Sequence, residues 1–173
     1  LLAICDVSRA HIDALKREMP EALCVECDVT DEFQMQGFFE QVQTEFGGVD
    51  ILLSNAGTGG PAGPLETLFF SDWRACLSVN LDGAFLSCRW AGEQMRAQGS
   101  GLILIISSTS GLFGVPNRAP YVTAKWGLIG LMKTLAMELG PAGVRVNAIC
   151  PGSVDGDRME RVLDIESAAS GQD

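Results

Sequence analysis

The chain is organised around two neighbouring stretches, Ser107-Ser108-Thr109-Ser110-Gly111 and Tyr121-Val122-Thr123-Ala124-Lys125, which a loop through Pro116 and Pro120 connects. The second stretch opens a long apolar segment that predicts a helix. On a helix, Tyr121 and Lys125 share one face, because residues four positions apart lie one turn from each other. Tyr121 is the only tyrosine and His11 the only histidine. We therefore expect the phenol and the ammonium group to form an acid/base pair.

Length and composition predict one domain over residues 1–173. Nearly half of the residues are apolar, which allows a sizeable core. The net charge of -10 disfavours phosphate backbones, so we expect no nucleic-acid partner. The six cysteines lie mostly in apolar runs, which suggests a reducing, cytoplasmic setting. Residues 1–6 show no basic leader, and two lysines interrupt the longest apolar helix, so we expect neither a signal peptide nor a membrane span.

Short apolar runs alternate with longer amphipathic segments along most of the chain. This alternation is typical of βαβ units and predicts an α/β fold with a parallel sheet. The predicted strands are Leu1–Asp6, Leu23–Asp28, Val49–Asn55, Leu102–Ser107 and Val144–Ile149. The predicted helices are Arg9–Glu18, Glu32–Phe46, a long segment Ser71–Arg96 that is either continuous or broken, and Tyr121–Leu139.

Side chains at the expected helix ends support these boundaries. Thr30 or Asp31 is the expected N-cap of the second helix, and Ser71 is the expected N-cap of the third. Pro120 suits the start of the fourth helix, where its missing N–H costs no hydrogen bond. Gly140-Pro141 is expected to end that helix.

Three other patterns do not support a site. The stretch Gly57-Thr58-Gly59-Gly60-Pro61-Ala62 matches a dinucleotide fingerprint literally, but it runs into prolines instead of a helix, so we reject it as a pyrophosphate site. Cys24 and Cys27 would point to opposite faces of a strand and lack a second ligand pair, so we expect no metal site. A serine hydrolase is disfavoured because the chain has no Gly-x-Ser-x-Gly elbow.

A set of polar and glycine residues follows the predicted strands in a regular order. Its members are Asp6, Asp28-Val29, Asn55-Ala56-Gly57, Asn80, Ser108, Tyr121, Lys125 and Pro151-Gly152. In order and spacing, this set resembles the short-chain dehydrogenase/reductase family over nearly the whole chain. The resemblance implies a Rossmann-type, doubly wound parallel sheet with helices on both faces. It also implies an NAD- or NADP-dependent alcohol dehydrogenase or ketoreductase.

The resemblance implies catalytic roles for four residues. Tyr121 corresponds to the general acid/base, and Lys125 to the lysine that supports the tyrosine and binds the nicotinamide ribose. Ser108 corresponds to the serine that orients the substrate oxygen. Asn80 corresponds to an asparagine that holds a water in a proton relay from the lysine. Electrostatics agree for the first pair, since an ammonium about 4 Å from a phenolate contributes roughly 4 kcal/mol at an effective dielectric near 20.

Structural alternatives stay open for several of these residues. Asn80 also suits a helix kink or a capping amide. Asp28 also suits a turn at a strand end. The hydroxyl groups of Ser107, Thr109 and Ser110 are expected to cap the loop, and only their spacing to Tyr121 separates them from Ser108.

The cofactor expected from the resemblance is NAD, with NADP as the alternative. A carboxylate at Asp6 accepts hydrogen bonds from a ribose 2′-hydroxyl and repels a 2′-phosphate, whereas Arg9 is the counterargument because it suits a phosphate. By resemblance, Asp28 and Val29 lie along the adenine. The other cofactor-binding residues implied in this way are Asn55, Ala56, Gly57, Tyr121, Lys125, Pro151, Gly152 and Val154.

The chain departs from the family pattern at several points. Ser54 stands where the family often has an asparagine, and Gly156 stands where it often has a threonine that binds the nicotinamide carboxamide. Val154 or Ser153 is the expected substitute for that threonine. The family's N-terminal glycine-rich unit and C-terminal strand are not found. We therefore expect a partial chain, with a gap between the strands that end at Asp6 and Asn55.

Two expectations concern partners and function. The apolar helix Tyr121–Leu139 and the helix before it form subunit contacts in the family, so a homodimer or homotetramer is expected, with a small alcohol or ketone as substrate. The alternative function is a catalytically silent dinucleotide-binding or scaffolding protein of the same fold. The presence of Asn80, Ser108, Tyr121 and Lys125 together favours the enzyme.

Overall fold

The structure is a computed structural model, and it describes residues 1–154. Strands and helices alternate in this part of the chain. The strands are β1 (Ala3–Asp6), β2 (Leu23–Glu26), β3 (Ile51–Ser54), β4 (Gly101–Ile106) and β5 (Val144–Ile149). The helices are α1 (Arg9–Glu18), α2 (Glu32–Phe46), α3 (Phe70–Leu77), α4 (Gly83–Gln98) and α5 (Ala119–Leu139). The predicted α/β alternation is confirmed, and α1, α2 and β5 have the predicted bounds.

The strand pairs are all parallel, but the described strands form two separate sheets. β1 pairs with β2, and Asp6 lies opposite Glu26. β4 lies between β3 and β5, and its Leu104 pairs with Leu53 and Asn147. Within residues 1–154 no strand joins the two sheets. This agrees with the gap expected between the strands predicted to end at Asp6 and at Asn55.

The larger core lies between the β3–β4–β5 sheet and helices α4 and α5. Ile103 and Ile105 point from the middle strand into this core, and both are completely buried together with Met95 of α4. On the outer strands β3 and β5, side chains that alternate to the other face are exposed, as Leu53 of β3 is at 55%. Within the described range, α4 and α5 therefore cover one face of this sheet.

The smaller core lies between α2 and the β1–β2 sheet. Phe38 and Phe39 of α2 pack there against Cys5 and other small side chains of the two strands. α1 contacts both strands but contributes no residue to this cluster, so it covers the opposite face. The ring of Phe39 stacks on Trp90 of α4 with centroids 4.6 Å apart. This contact joins the smaller layer to the larger one.

Most helix ends follow the sequence. Asp31 caps α2, since its Oδ1 accepts hydrogen bonds from the N–H groups of Phe33 at 2.9 Å and Gln34 at 3.1 Å. These hydrogen bonds lower the pKa of the Asp31 carboxyl, and the bond from Gln34 has the larger effect. Pro120 lies in the first turn of α5, and the helix ends at Leu139, before Gly140-Pro141, both as predicted. A 3₁₀ turn, Gly140–Ala142, follows the helix.

The predicted cap of α3 is wrong. The helix begins at Phe70, and Ser71 lies inside its first turn. The carbonyl of Phe69 already accepts the N–H of Trp73 at 3.1 Å, so the main chain turns into the helix two residues before Ser71. No side chain caps this end.

The long segment predicted over residues 71–96 is continuous but irregular. α3 passes into α4 through a π-helical turn, Ser78–Asp82, which contains Asn80. Such turns often occur at functional sites because they place an extra residue in the helix. After the turn, Gly83 packs so closely on Val29 that a Cβ would lie 2.8 Å from the valine Cγ2.

The six cysteines are free thiols in the structure, and four of them are buried. Cys88 is 1% exposed in the larger core. Burial raises the pKa of its thiol from 9.0 to about 12. A buried thiol of this kind behaves as a small apolar side chain, as the sequence predicts.

We predict that Cys88 resists alkylation in the folded protein at pH 9. The thiolate is the reactive species. In the folded protein, the raised pKa of about 12 makes the Cys88 thiolate scarce at pH 9, whereas the same thiol in the unfolded chain is already half ionised. Iodoacetamide labelling of Cys88, followed by peptide mass spectrometry, should be at least about tenfold slower in native protein than in urea. Because the unfolded chain ionises first, the stability that this thiol contributes is present below pH 9 and is lost as the pH rises towards 12. Equal labelling rates in the two states would contradict its burial.

Candidate active site

The carboxyl ends of β4 and β5 bring two predicted segments together. The Thr109 N–H donates to the Pro151 carbonyl at 2.9 Å. A Cβ built at Gly152 would lie 3.9 Å from the Thr109 methyl group. Because parallel strands end at the same edge of their sheet, Ser108 and Pro151-Gly152 border that edge together.

Lys125 is the most constrained residue of the site. Its side chain is 2% exposed, and its ammonium donates to the carbonyl of Ile106, the last residue of β4, at 2.9 Å. The hydroxyl of Ser107 donates to the Lys125 carbonyl at 2.9 Å. Gly111 lies against the same carbonyl so closely that a Cβ there would come within 2.8 Å of it. These contacts fix α5 against the end of β4.

Tyr121 lies beside Lys125, as their spacing predicts. The ammonium nitrogen of Lys125 is 5.6 Å from the centre of the Tyr121 ring. The guanidinium carbon of Arg118 lies 5.2 Å from the same ring centre. The tyrosine is partly buried, so two cations flank a ring that retains access to solvent.

Asn80 and Gly57 complete the centre. The Asn80 amide nitrogen donates to the Cys76 carbonyl at 2.9 Å and to the Thr58 carbonyl at 3.0 Å. Its Oδ1 atom is buried and has no hydrogen-bond partner within the described residues. A Cβ at Gly57 would lie 2.8 Å from this Oδ1 and 3.6 Å from Lys125 Nζ. Gly57, Asn80 and Lys125 therefore meet, and Asn80 also has the helix-kink role that its residue type allows.

The serines of the loop have different environments. Ser107 is 3% exposed and holds the α5 backbone. Ser108 is partly buried and begins the 3₁₀ turn Thr109–Gly111, where its Oγ accepts the Ser110 N–H at 3.1 Å. The Ser107 hydroxyl proton is therefore committed to the helix, whereas the Ser108 hydroxyl donates no hydrogen bond to the described residues.

Asp6 ends β1 as predicted, with a partly exposed carboxylate. Its Oδ1 accepts the Ser8 N–H at 2.7 Å and lies 3.7 Å from Nδ1 of His11. The guanidinium of Arg9 bonds to Glu26 Oε2 at 2.7 Å and not to Asp6. This bond, followed by the charges of Glu26 and Asp13, raises the pKa of Arg9.

Asp28 and Val29 follow β2, which ends at Glu26 instead of Asp28. The Asp28 Oδ1 accepts both the N–H and the hydroxyl of Thr30, at 2.9 Å and 2.8 Å. Asp28 therefore forms the turn that follows β2, as its residue type allows. Val29 packs on Gly83, which brings this loop to the start of α4.

The other predicted cofactor residues lie in loops at strand ends. Asn55 and Ala56 are exposed after β3, and Val154 is 64% exposed at the end of the described range. Gly156 lies outside the described residues. The stretch that begins at Gly57 forms no helix before the 3₁₀ turn at Leu65, which agrees with its rejection as a pyrophosphate site.

The sequence reasoning missed Arg118. This residue precedes α5, is 5% exposed, and donates from Nη2 to the Gly59 carbonyl at 3.0 Å. A signal was present, because Arg118 lies three positions before Tyr121, one helical turn away. It was not decisive, because arginines at helix starts usually face solvent.

No group of three or more histidine, cysteine, aspartate or glutamate side chains in residues 1–154 is arranged to hold a metal ion. None of the helices in the same range has the length and apolar character needed to cross a membrane.

Solved structures share the fold of this chain. NAD⁺-bound xylitol dehydrogenase superposes with a TM-score of 0.91 at 33% identity, covering 96% of this chain and 66% of the other. ElxO with NADP bound superposes with a TM-score of 0.85 at 26% identity, covering 98% of this chain and 71% of the other. These likenesses confirm the Rossmann-type fold.

Sequence comparison identifies the family. Levodione reductase of Leifsonia aquatica is 34% identical over 159 residues, which make up 88% of this chain and 60% of that protein. The chain thus spans about three fifths of the length of this curated relative. The model of the family described as short chain dehydrogenase matches residues 1–166. Since this match covers nearly all of the sequence, the chain belongs to the short-chain dehydrogenase family.

Proposed function

We propose that the full protein transfers a hydride between a nicotinamide cofactor and a secondary alcohol or ketone, with Tyr121 as general acid/base. The observation that carries this proposal is the Lys125 ammonium, buried and 5.6 Å from the Tyr121 ring centre. A buried cation beside a phenol has an evident use in proton transfer. The relatives, a reductase of levodione and a dehydrogenase of xylitol, support the substrate class.

Tyr121 supplies the proton chemistry in this proposal. In the oxidation direction, its phenolate accepts the proton of the substrate hydroxyl group, and in the reduction direction its phenol returns it. The buried Lys125 ammonium, 5.6 Å from the ring centre, lies beside the group that gains negative charge when the proton leaves. Ser108 orients the substrate oxygen, because its hydroxyl proton is available for a hydrogen bond.

Asn80 connects this pair to solvent in the proposed mechanism. Its buried Oδ1 has no partner among the described residues, and buried acceptors of this kind usually bind an ordered water. Asn80 Oδ1 and Lys125 Nζ both lie near the Cβ position of Gly57. A water held by Asn80 would pass protons between this region and bulk solvent.

The residues present fit a nicotinamide dinucleotide, which when bound supplies the hydride donor or acceptor. Gly57 permits close approach beside Asn80, and Asp6 offers a carboxylate for a ribose hydroxyl. Asp28 and Val29 would border the adenine, and Asn55 and Ala56 the adenosine ribose. Lys125, Pro151-Gly152 and Val154 would line the nicotinamide end.

NAD is the proposed form of the cofactor. The Asp6 carboxylate repels a 2′-phosphate, and Arg9, which would attract one, is already bonded to Glu26 at 2.7 Å. This ion pair weakens the counterargument that the sequence raises for NADP. The six free cysteines fit a reducing, cytoplasmic setting, where this cofactor is available.

The first prediction concerns Tyr121 and separates the enzyme from a silent binding protein. Tyr121→Phe in the full-length protein should reduce kcat about 10²-fold or more, because the proton acceptor is lost while the ring remains. NADH turnover against a panel of ketones measures this. Thr123→Ala is the matched control, since Thr123 is exposed on the same helix. Equal rates for Tyr121→Phe and wild type would exclude the proposed mechanism.

A second prediction concerns the choice of cofactor. Asp6→Asn keeps the shape and the Ser8 hydrogen bond but removes the charge, so the ratio of kcat/KM for NADP to that for NAD should rise about tenfold. Glu18→Gln, which removes an exposed carboxylate at the other end of α1, should leave the ratio unchanged. No change in the Asp6 variant would mean that another residue selects the cofactor.

A third prediction concerns assembly. We propose a homodimer or homotetramer formed through α4 and α5, where Phe85, Trp126 and Met137 are 48%, 50% and 81% exposed. Light scattering of the full-length protein should give two or four times the chain mass. Trp126→Glu and Met137→Glu should lower this mass, and a wild-type monomer would remove the proposal.

A further inference from the structure

Arg118 is a buried cation that has no role in the reaction proposed above. Its side chain is 5% exposed, and an arginine is permanently charged. No ion pair of the described residues includes it. Its Nη1 atom is buried and also lacks a hydrogen-bond partner there. A buried charge without a counter-charge is costly, so its retention calls for a reason.

The contacts of Arg118 all lead to the candidate site. Nη2 donates to the Gly59 carbonyl at 3.0 Å, next to the Thr58 carbonyl that Asn80 holds. The guanidinium carbon lies 5.2 Å from the centre of the Tyr121 ring. Arg118 therefore links the loop after β3 to the proposed acid/base.

The neighbouring backbone reinforces this link. The Gly63 N–H donates to the carbonyl of Asn117 at 2.8 Å, and the Val122 N–H donates to the carbonyl of Arg118 at 2.9 Å. Asn117 has a positive φ of 60°, which turns the chain sharply into α5. The main chain at Arg118 is thereby held by both the loop and the helix start.

We propose that Arg118 is a positioning residue for Tyr121, whose guanidinium fixes the ring and stabilises its phenolate together with Lys125. The inference rests on the proposed function, in which Tyr121 exchanges the substrate proton. When Tyr121 ionises, the phenolate becomes the counter-charge that Arg118 lacks among residues 1–154.

The other titratable groups at this place are few. Lys125 lies on the same helix, and Asn80 from the π-helical turn is neutral. Cys76 packs in from α3, and burial raises the pKa of its thiol, against the opposing effects of the Asn80 hydrogen bond and of the Arg118 and Lys125 charges. The Cys76 thiol is therefore neutral at physiological pH, and the two cations dominate the field at the Tyr121 ring.

The test is a titration of Tyr121 in the full-length protein. The ultraviolet absorbance of tyrosinate is recorded against pH, and the same variant carrying Tyr121→Phe is subtracted, so that Tyr121 alone is observed. Arg118→Gln keeps a donor for the Gly59 carbonyl but removes the charge. We expect its titration midpoint to rise by about one to two pH units, because the lost cation favoured the phenolate. The pH profile of kcat for alcohol oxidation should move upward by the same amount.

Two further variants separate charge from structure. Arg118→Lys keeps the charge and should restore a midpoint close to that of wild type, while Arg118→Gln should not. Arg89→Met is the matched control, because Arg89 lies 5.4 Å from the Phe85 ring and pairs with Glu32, so it removes a similar contact elsewhere. It should leave the Tyr121 midpoint unchanged.

The outcomes are distinct. An unshifted midpoint in Arg118→Gln, or an equal shift in Arg118→Lys and Arg118→Gln, overturns the role of the Arg118 charge. If Arg118→Gln does not fold, a wild-type midpoint in Arg118→Lys supports the inference and a raised one overturns it. A raised midpoint in Arg118→Gln with no turnover by wild type on the alcohol and ketone panel supports the effect of Arg118 on Tyr121 and counts against the proposed function instead.

Discussion

The burial of the Lys125 ammonium is the constraint on which the site depends. At 2% exposure, this charge requires a fixed acceptor, and the Ile106 carbonyl at the end of β4 supplies one at 2.9 Å. This acceptor belongs to the last residue of β4. The close approach of Gly111 and the bond from Ser107 then hold α5 where Lys125 reaches its acceptor. The position of the α5 segment that carries Tyr121 and Lys125 is thus set by the end of β4 and by the turn that follows it.

The glycine-rich loop after β3 gains a structural meaning from the same site. It lacks the helix that a pyrophosphate cradle needs, but two successive carbonyls, those of Thr58 and Gly59, accept hydrogen bonds from Asn80 and Arg118. Gly60 fits because a Cβ there would collide with the Cys76 sulfur. The glycines therefore let a main chain lie against buried polar side chains. The loop connects three elements: β3, the π-helical turn and the start of α5.

The sequence predicts those features that depend on local pattern. The alternation of strands and helices, the bounds of α1, α2 and β5, and the shared face of Tyr121 and Lys125 follow from periodicity and capping. The start of α3 at Phe70 does not, because no side chain caps it, and the burial of Arg118 does not, because it depends on a contact with Gly59, which is distant in sequence. Asn80 lies between these cases. Its place in the motif was visible, but the π-helical turn that aims its amide at Cys76 and Thr58 was not.

The π-helical turn also limits how the length of this protein can change. An α-helix advances about 100° per residue, so loss of one residue within Ser78–Asp82 would rotate α4 by that angle relative to α3. Gly83 would then no longer pack on Val29. A residue with a side chain would take its place, where even a Cβ atom would collide with Val29. Insertions in the exposed segment around Leu65 to Phe69 carry no such penalty. Variation in chain length is therefore permitted before α3 and excluded between α3 and α4.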